Sequence, residues 1–175
     1  NHDMARITDI VMDKDPRRVK LAYVLLATMR GIPQVLYGDE YAMTSANKED
    51  VNHHSYLRAP LPLGDQVTAE MQDMYDFQSK LFNWRKGEKV LHSGKTMHFL
   101  ARNNTYAYFR YNEDEAVFVF ANAAAEPRLI PVETYEEILS QYQPIGINPL
   151  NGETVDLSQA LEVPEVSTLV VKLTK

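Results

Sequence analysis

The sequence predicts a chain of two characters, α/β at the front and all-β behind: the last helix, strand and helix of a (β/α)8 barrel, then an antiparallel β-sandwich. Three observations carry this. A polar triplet, Asn1-His2-Asp3, stands before a long apolar helix and a short apolar run that ends in the acidic pair Asp39-Glu40. A second amphipathic stretch follows from Val67 to Arg85. After Gly87 the helical period gives way to alternation with frequent turn signals. The division falls near residues 86–92, giving a barrel portion at 1–88 and a sandwich at 89–175. Because the first residue is Asn and no strand precedes the triplet, the chain reads as the C-terminal piece of something larger.

Asp15-Pro16 marks the start of the first helix, a capping carboxylate followed by a residue whose fixed φ suits the first turn. The run Val19 to Met29 is apolar nearly all round and reads as a helix buried on several sides. Gly31 and Pro33 end it, Gly31 as the C′ residue. Ile32 to Tyr37 then reads as a parallel strand covered on both faces. Residues 41–66 are a long polar loop. In the second helix, Met71, Met74, Tyr75, Leu81 and Phe82 form the predicted core stripe, with Phe77 and Trp84 beside it.

In the all-β part, Met97, Phe99 and Ala101 share one strand face, and Asn103-Asn104 turns into Thr105 to Tyr111. Val117 to Phe120 is apolar on both faces, as a central strand requires. Further strands are expected at Arg128 to Val132, Thr154 to Leu157 and Ser167 to Leu173, with a short helix or irregular crossover at Thr134 to Tyr142. This density of short strands is that of a sandwich.

Composition excludes several function classes. The formal charge of −6 comes without any basic stripe, so a nucleic-acid partner is not expected. The longest apolar run, Leu21 to Ala27, is too short to cross a bilayer. The absence of cysteine removes disulfides and thiolate chemistry. His53-His54 with Asp50 nearby has no metal-ligand spacing and reads as solvated loop. His92 and His98 read as surface or strand-pair residues. Tyr106, Tyr108 and Tyr111 could form a stacking platform for a ligand, although tyrosines are ordinary in half-buried strands.

Asp3 is the leading catalytic candidate, since barrel enzymes place their chemistry at the C-terminal ends of strands. Asp39-Glu40 would lie just past the next strand, on the same rim. A histidine beside a carboxylate supplies a donor to a hydroxyl and negative charge near developing positive charge.

The order Asn-His-Asp, helix, then Gly31-x-Pro-x-x-x-Tyr-Gly-x-Glu40 resembles the seventh and eighth barrel units of the α-amylase family of glycoside hydrolases. Lys80-Leu-Phe-Asn-Trp-Arg-Lys86, Val90-Leu-His-Ser-Gly-Lys95, the Tyr-rich hairpin and Val163-Pro164 are similar to the final helix and C-terminal sandwich of neopullulanase- and cyclomaltodextrinase-like members. The resemblance implies that Asp3 is the carboxylate supporting an oxocarbenium-like transition state. It implies substrate-binding roles for His2 and Arg58, with Asn1 helping to hold the turn, and a structural role for Glu40 at the barrel mouth. The nucleophile and general acid/base would lie on earlier strands, so the chain alone is expected to be inactive. No cofactor is implied. The expected partner is an α-glucan oligosaccharide or cyclomaltodextrin, and location is open between periplasm and cytoplasm, leaning to the former.

Leu57-Arg58-Ala-Pro-Leu-Pro-Leu-Gly64-Asp65 departs from the family's Leu-Arg-x-Asp-Phe-Pro-Gly-Gly-Trp by losing the aromatic and the glycine pair, which opens the question of substrate preference. A different class stays in view, a non-catalytic carbohydrate-binding or stabilising sandwich. Unburied barrel elements would also expose apolar surface and favour self-association as a homodimer.

Overall fold

The computed structural model describes residues 2–45 and 55–175 of the 175-residue chain. Asn1 and the His53-His54 pair lie outside the described residues.

A six-stranded antiparallel sheet organises the rest. Its strands are β1 (Lys95–His98), β2 (Thr105–Tyr111), β3 (Glu115–Asn122), β5 (Ile145–Ile147), β6 (Thr154–Asp156) and β8 (Ser167–Thr174), in the order β1-β2-β3-β8-β5-β6. A second sheet pairs β4 (Arg128–Leu129) with β7 (Glu162–Val163). Alternation along β3 serves two cores. Ala116, Phe118 and Phe120 point to one face, where Tyr135, Ile138, Leu157 and Val163 close over them. Val117 and Val119 point to the other, against Val19, Val24, Met74 and Leu81. Burial on both faces explains the unbroken apolar run of this strand. β5 and β7, both short, were not legible in the sequence. The 134–142 crossover resolves into a 3-10 turn over Val132–Tyr135 and helix α5 (Glu136–Leu139).

The front half supplies α1 (Ile7–Ile10), α2 (Pro16–Thr28), α3 (Ala69–Gly87) and α4 (Lys89–Ser93). Asp15 caps α2 by accepting from the Arg17 amide at 2.9 Å, as the Asp-Pro signal predicts. Thr68 caps α3 through the Met71 amide.

Three expectations are corrected. Helix α2 ends at Thr28 with Met29 as its cap, so Gly31 is not the C′ residue; its φ of +128° serves a turn further on. Residues 32–37 pair with no strand among the described residues, and Ile32 is 96% exposed. A parallel strand is defined by its neighbours, and among the described residues none stands beside this segment. The buried stripe of α3 runs through Met74, Gln78, Leu81 and Arg85, while Tyr75 is exposed. Periodicity located the stripe near the right face but could not anticipate that half of it is polar.

Candidate active site

Asp3 lies in an exposed turn just ahead of α1, and Arg58 ends a 3-10 turn over Ser55–Arg58. The Arg58 guanidinium donates to Asp3 Oδ1 at 2.9 Å, and His2 Nε2 stands 3.3 Å from the same oxygen. Three of the residues singled out in the sequence are therefore brought together, across 55 positions of chain. All three are solvent-facing, so their mutual attraction alone stabilises little. Something more rigid must fix them.

That element is Arg6, whose side chain is fully buried. Its Nη1 donates to Asp39 Oδ1 at 2.7 Å and to the Tyr37 carbonyl at 2.9 Å, and its Nη2 reaches the Leu57 carbonyl at 3.4 Å. The guanidinium carbon also sits 5.3 Å from the centre of the Tyr37 ring. One cation thus joins the Asp3 turn, the 37–39 segment and the residue before Arg58. Charge-assisted bonds of this kind are shorter and stronger than neutral ones. The turn at Gly38 depends on having no side chain: φ is +84°, and a Cβ there would run into the Met43 sulfur.

Behind this layer the packing continues through α2 and α3. Gln78 Nε2 donates to the Asp39 carbonyl at 2.9 Å. Arg85 donates to the carbonyls of Ala27 and, at 2.9 Å, Gly31. Helix α3 therefore bonds to both ends of residues 31–39. Tyr23, buried beside them, has its hydroxyl pushed above the usual phenol range by burial and then by the negative charge of Asp39 and Glu40. Glu40, next to Asp39 in the 3-10 turn Asp39–Tyr41, lines a cleft of about 320 Å³ with Tyr37, Tyr75, Gln78 and Phe82.

The tyrosine platform does not exist. Tyr108 is 1% exposed, with its hydroxyl 2.5 Å from Thr28 Oγ1. Tyr111 packs against the core on the opposite face from Tyr106. His92 bonds the Arg85 carbonyl at 2.9 Å, and His98 stands edge-on to Tyr106. Among the described residues no group of three His, Asp or Glu side chains could hold a metal ion, and no helix is long and apolar enough to cross a membrane. Arg6, Gln78 and Arg85 were missed in the sequence. Only the position of Arg6, three residues past Asp3, offered a hint.

Residues 1–128 match the family described as alpha amylase, catalytic domain. The chain belongs to the α-amylase family. Residues 96–172 match the cyclo-malto-dextrinase C-terminal domain, which accounts for the sandwich. A cyclomaltodextrin glucanotransferase from Geobacillus stearothermophilus is 29% identical over 165 residues, covering 90% of this chain and 20% of that protein. A cyclomaltodextrinase from Geobacillus thermopakistaniensis is 27% identical over 135 residues, covering 75% of this chain and 21% of its own length. The chain thus spans about a fifth of these α-amylase-family relatives. An Anoxybacillus α-amylase structure superposes with a TM-score of 0.76 at 18% identity, over 99% of this chain and 36% of that one. A Geobacillus thermoleovorans α-amylase complexed with acarbose gives 0.71 at 21%, over 100% and 38%. These two superpositions identify the fold: the end of an α-amylase catalytic domain followed by its C-terminal sandwich.

Proposed function

We propose that this chain is part of a retaining glycoside hydrolase that cleaves α-glucosidic bonds in maltooligosaccharides or cyclomaltodextrins, and that Asp3 is its transition-state carboxylate. The observation that carries the reading is the Asp3–Arg58–His2 cluster, exposed to solvent yet braced from below by the buried Arg6, in a chain of this family. An exposed carboxylate with flanking donors can bind sugar hydroxyls and lower the energy of a positively charged, oxocarbenium-like state.

Asp3 does not act alone in this scheme. Retaining hydrolysis requires a nucleophile and an acid/base about 5–5.5 Å apart. Neither role falls to a residue of this chain. His2 and Arg58 are assigned to substrate hydroxyls and to the orientation of Asp3, Asn1 to the turn, and Glu40 to the structure of the barrel mouth. The division proposed is 1–88 for the barrel end and 89–175 for the sandwich. The exposed residues Met4, Ile10, Leu26 and Ile32 are assigned to protein contacts. The isolated chain is expected to self-associate, and a monomer by light scattering contradicts that assignment.

The test is Asp3→Asn in the enzyme that contains this chain, assayed on maltotriose. Turnover falls roughly 10²–10³-fold, as when one element of preorganised electrostatic stabilisation is removed. The far-UV circular dichroism stays unchanged. Near-wild-type kcat in a folded variant overturns the assignment.

A further inference from the structure

The sandwich carries a cavity of its own, built from residues far along the chain from Asp3. It measures about 500 Å³, within the roughly 300–1,000 Å³ usual for small-molecule sites. On one side stand the 3-10 turn Val132–Tyr135 and α5, on the other the segment that follows β6, residues 157–160. Every lining residue falls between 130 and 160, inside the span that matches the C-terminal domain, so the cavity is complete within that domain. Its floor is apolar: Ile130, Leu139, Tyr142 and Leu157 are all buried members of one core. The Tyr142 hydroxyl is committed to the Asn112 carbonyl, and the Leu157 amide donates to the Pro144 carbonyl at 2.9 Å. The floor is therefore fixed by the packing of the domain.

The rim has the opposite character. Glu133 and Glu136 stand exposed on one side, and no lysine or arginine lines the cavity. Across from them, Ser158 and Gln159 both donate to Asp156, at 2.6 and 2.8 Å. The Ser158 hydroxyl bond in particular holds the Asp156 carboxyl below the usual carboxylate range. It also spends the one donor that a serine side chain has, leaving acceptor oxygen for a ligand. An apolar floor under an acidic, acceptor-rich rim suits a molecule with an aliphatic body and a cationic donor end. An ammonium group, three donors and no acceptor, is that end. Tyr142, the aromatic residue of the lining, is only 7% exposed and offers no open face on which a sugar ring could stack. We propose that this cavity binds a primary aliphatic amine in its ammonium form, with the chain on Ile130, Leu139 and Leu157 and the ammonium held by Glu133 and Glu136. The site is separate from the Asp3 cluster and does not rest on the role assigned to it.

The test is a titration of the full chain at neutral pH with n-hexylammonium, n-hexanol, hexanoate and maltotriose in turn. The methyl resonances of Ile130, Leu139 and Leu157 in a ¹H–¹³C spectrum report binding. Hexylammonium shifts them saturably and binds about 5-fold more tightly than hexanol, the margin that two exposed carboxylates can supply. Hexanoate binds least. High salt removes most of that margin and leaves the affinity for hexanol in place. The double variant Glu133→Gln/Glu136→Gln, confined to exposed side chains, brings hexylammonium down to the affinity of hexanol. Equal affinity for amine and alcohol in the unaltered chain overturns the proposal, as do methyls that hexylammonium leaves unmoved. A margin that survives in the double variant overturns the role of the two carboxylates. Maltotriose moving the same methyls at lower concentration than the amine overturns the ligand class and makes the cavity a sugar site.

Discussion

The sheet and the candidate site are built by opposite means within one molecule. In the sheet, β2, β3 and β8 are locked by consecutive backbone pairs, Thr105↔Asn122 through Tyr111↔Ala116 and Glu115↔Thr174 through Asn122↔Ser167. Side chains there fill two apolar layers and need only the right size and alternation. Around the site, residues 31–39 pair with no strand among the described residues, and buried polar side chains from distant positions bond to them. The first kind of order is redundant, because removing one contact leaves many. The second is concentrated in a few groups, so small changes there alter geometry before they alter stability. The contrast predicts different phenotypes for substitutions in the two regions.

The largest loss of stability is expected at Phe118, fully buried and stacked on Phe109 with ring centres 4.6 Å apart. Phe118→Ala lowers the unfolding free energy by about 3–5 kcal/mol in urea titration. A loss below 1 kcal/mol would place the core elsewhere.

Arg110 tests the junction between the two regions. It is completely buried on β2 and donates to the carbonyls of Thr28, Leu91 and Gly94, at the C-terminal ends of α2 and α4. Burial, and then the neighbouring Arg85, push its pKa below the usual range. Helix C-termini carry partial negative charge and compensate it. Arg110→Met leaves three carbonyls short of a donor and costs about 2–3 kcal/mol by the same titration. An unchanged midpoint would mean that these ends are satisfied without it.

Gly38 sharpens the comparison from the site side. With φ at +84° and the Met43 sulfur in the path of a Cβ, Gly38→Ala strains the turn by about 1–2 kcal/mol. Its effect on kcat in the complete enzyme should exceed what that modest stability loss implies. Turnover that merely tracks the folded fraction would show that the site is as tolerant as the sheet.

The smallest effect is at the α2 cap. The Arg17 side chain, by hydrogen bonding, holds the Asp15 carboxyl below its usual value, with burial opposing and the Arg17 amide assisting. A depressed folded-state pKa means that the contribution is present above the unfolded value of about 3.9 and is lost as pH falls through the folded value. Asp15→Ala costs about 1 kcal/mol at neutral pH, shrinking in acid below that point. A cost that grows in acid contradicts this sign.

What was legible in the sequence follows the same division. Alternation exposed β2 and β8, an unbroken apolar run exposed β3, and the Asp15-Pro16 signal exposed α2, because those elements are specified by local pattern. The short strands Ile145–Ile147 and Glu162–Val163 carry too few residues to show a period. The Asn-His-Asp triplet was singled out by its place ahead of the first helix and, with Arg58, by resemblance. Arg6, Gln78 and Arg85 were not, because each is polar in a setting that pattern reserves for apolar residues. No local rule says that an arginine will be buried under a turn formed 31 residues later. The apolar run 32–37 was read as a strand from its pattern, and no strand among the described residues pairs with it.

The most direct test is to determine the structure of the complete enzyme with maltotriose bound. Sugar hydroxyls are expected within hydrogen-bond reach of Asp3 and His2, about 2.7–3.2 Å, with the Arg6–Asp39 pair intact beneath them. Sugar bound elsewhere, with the Asp3–Arg58 pair facing empty solvent, would contradict it.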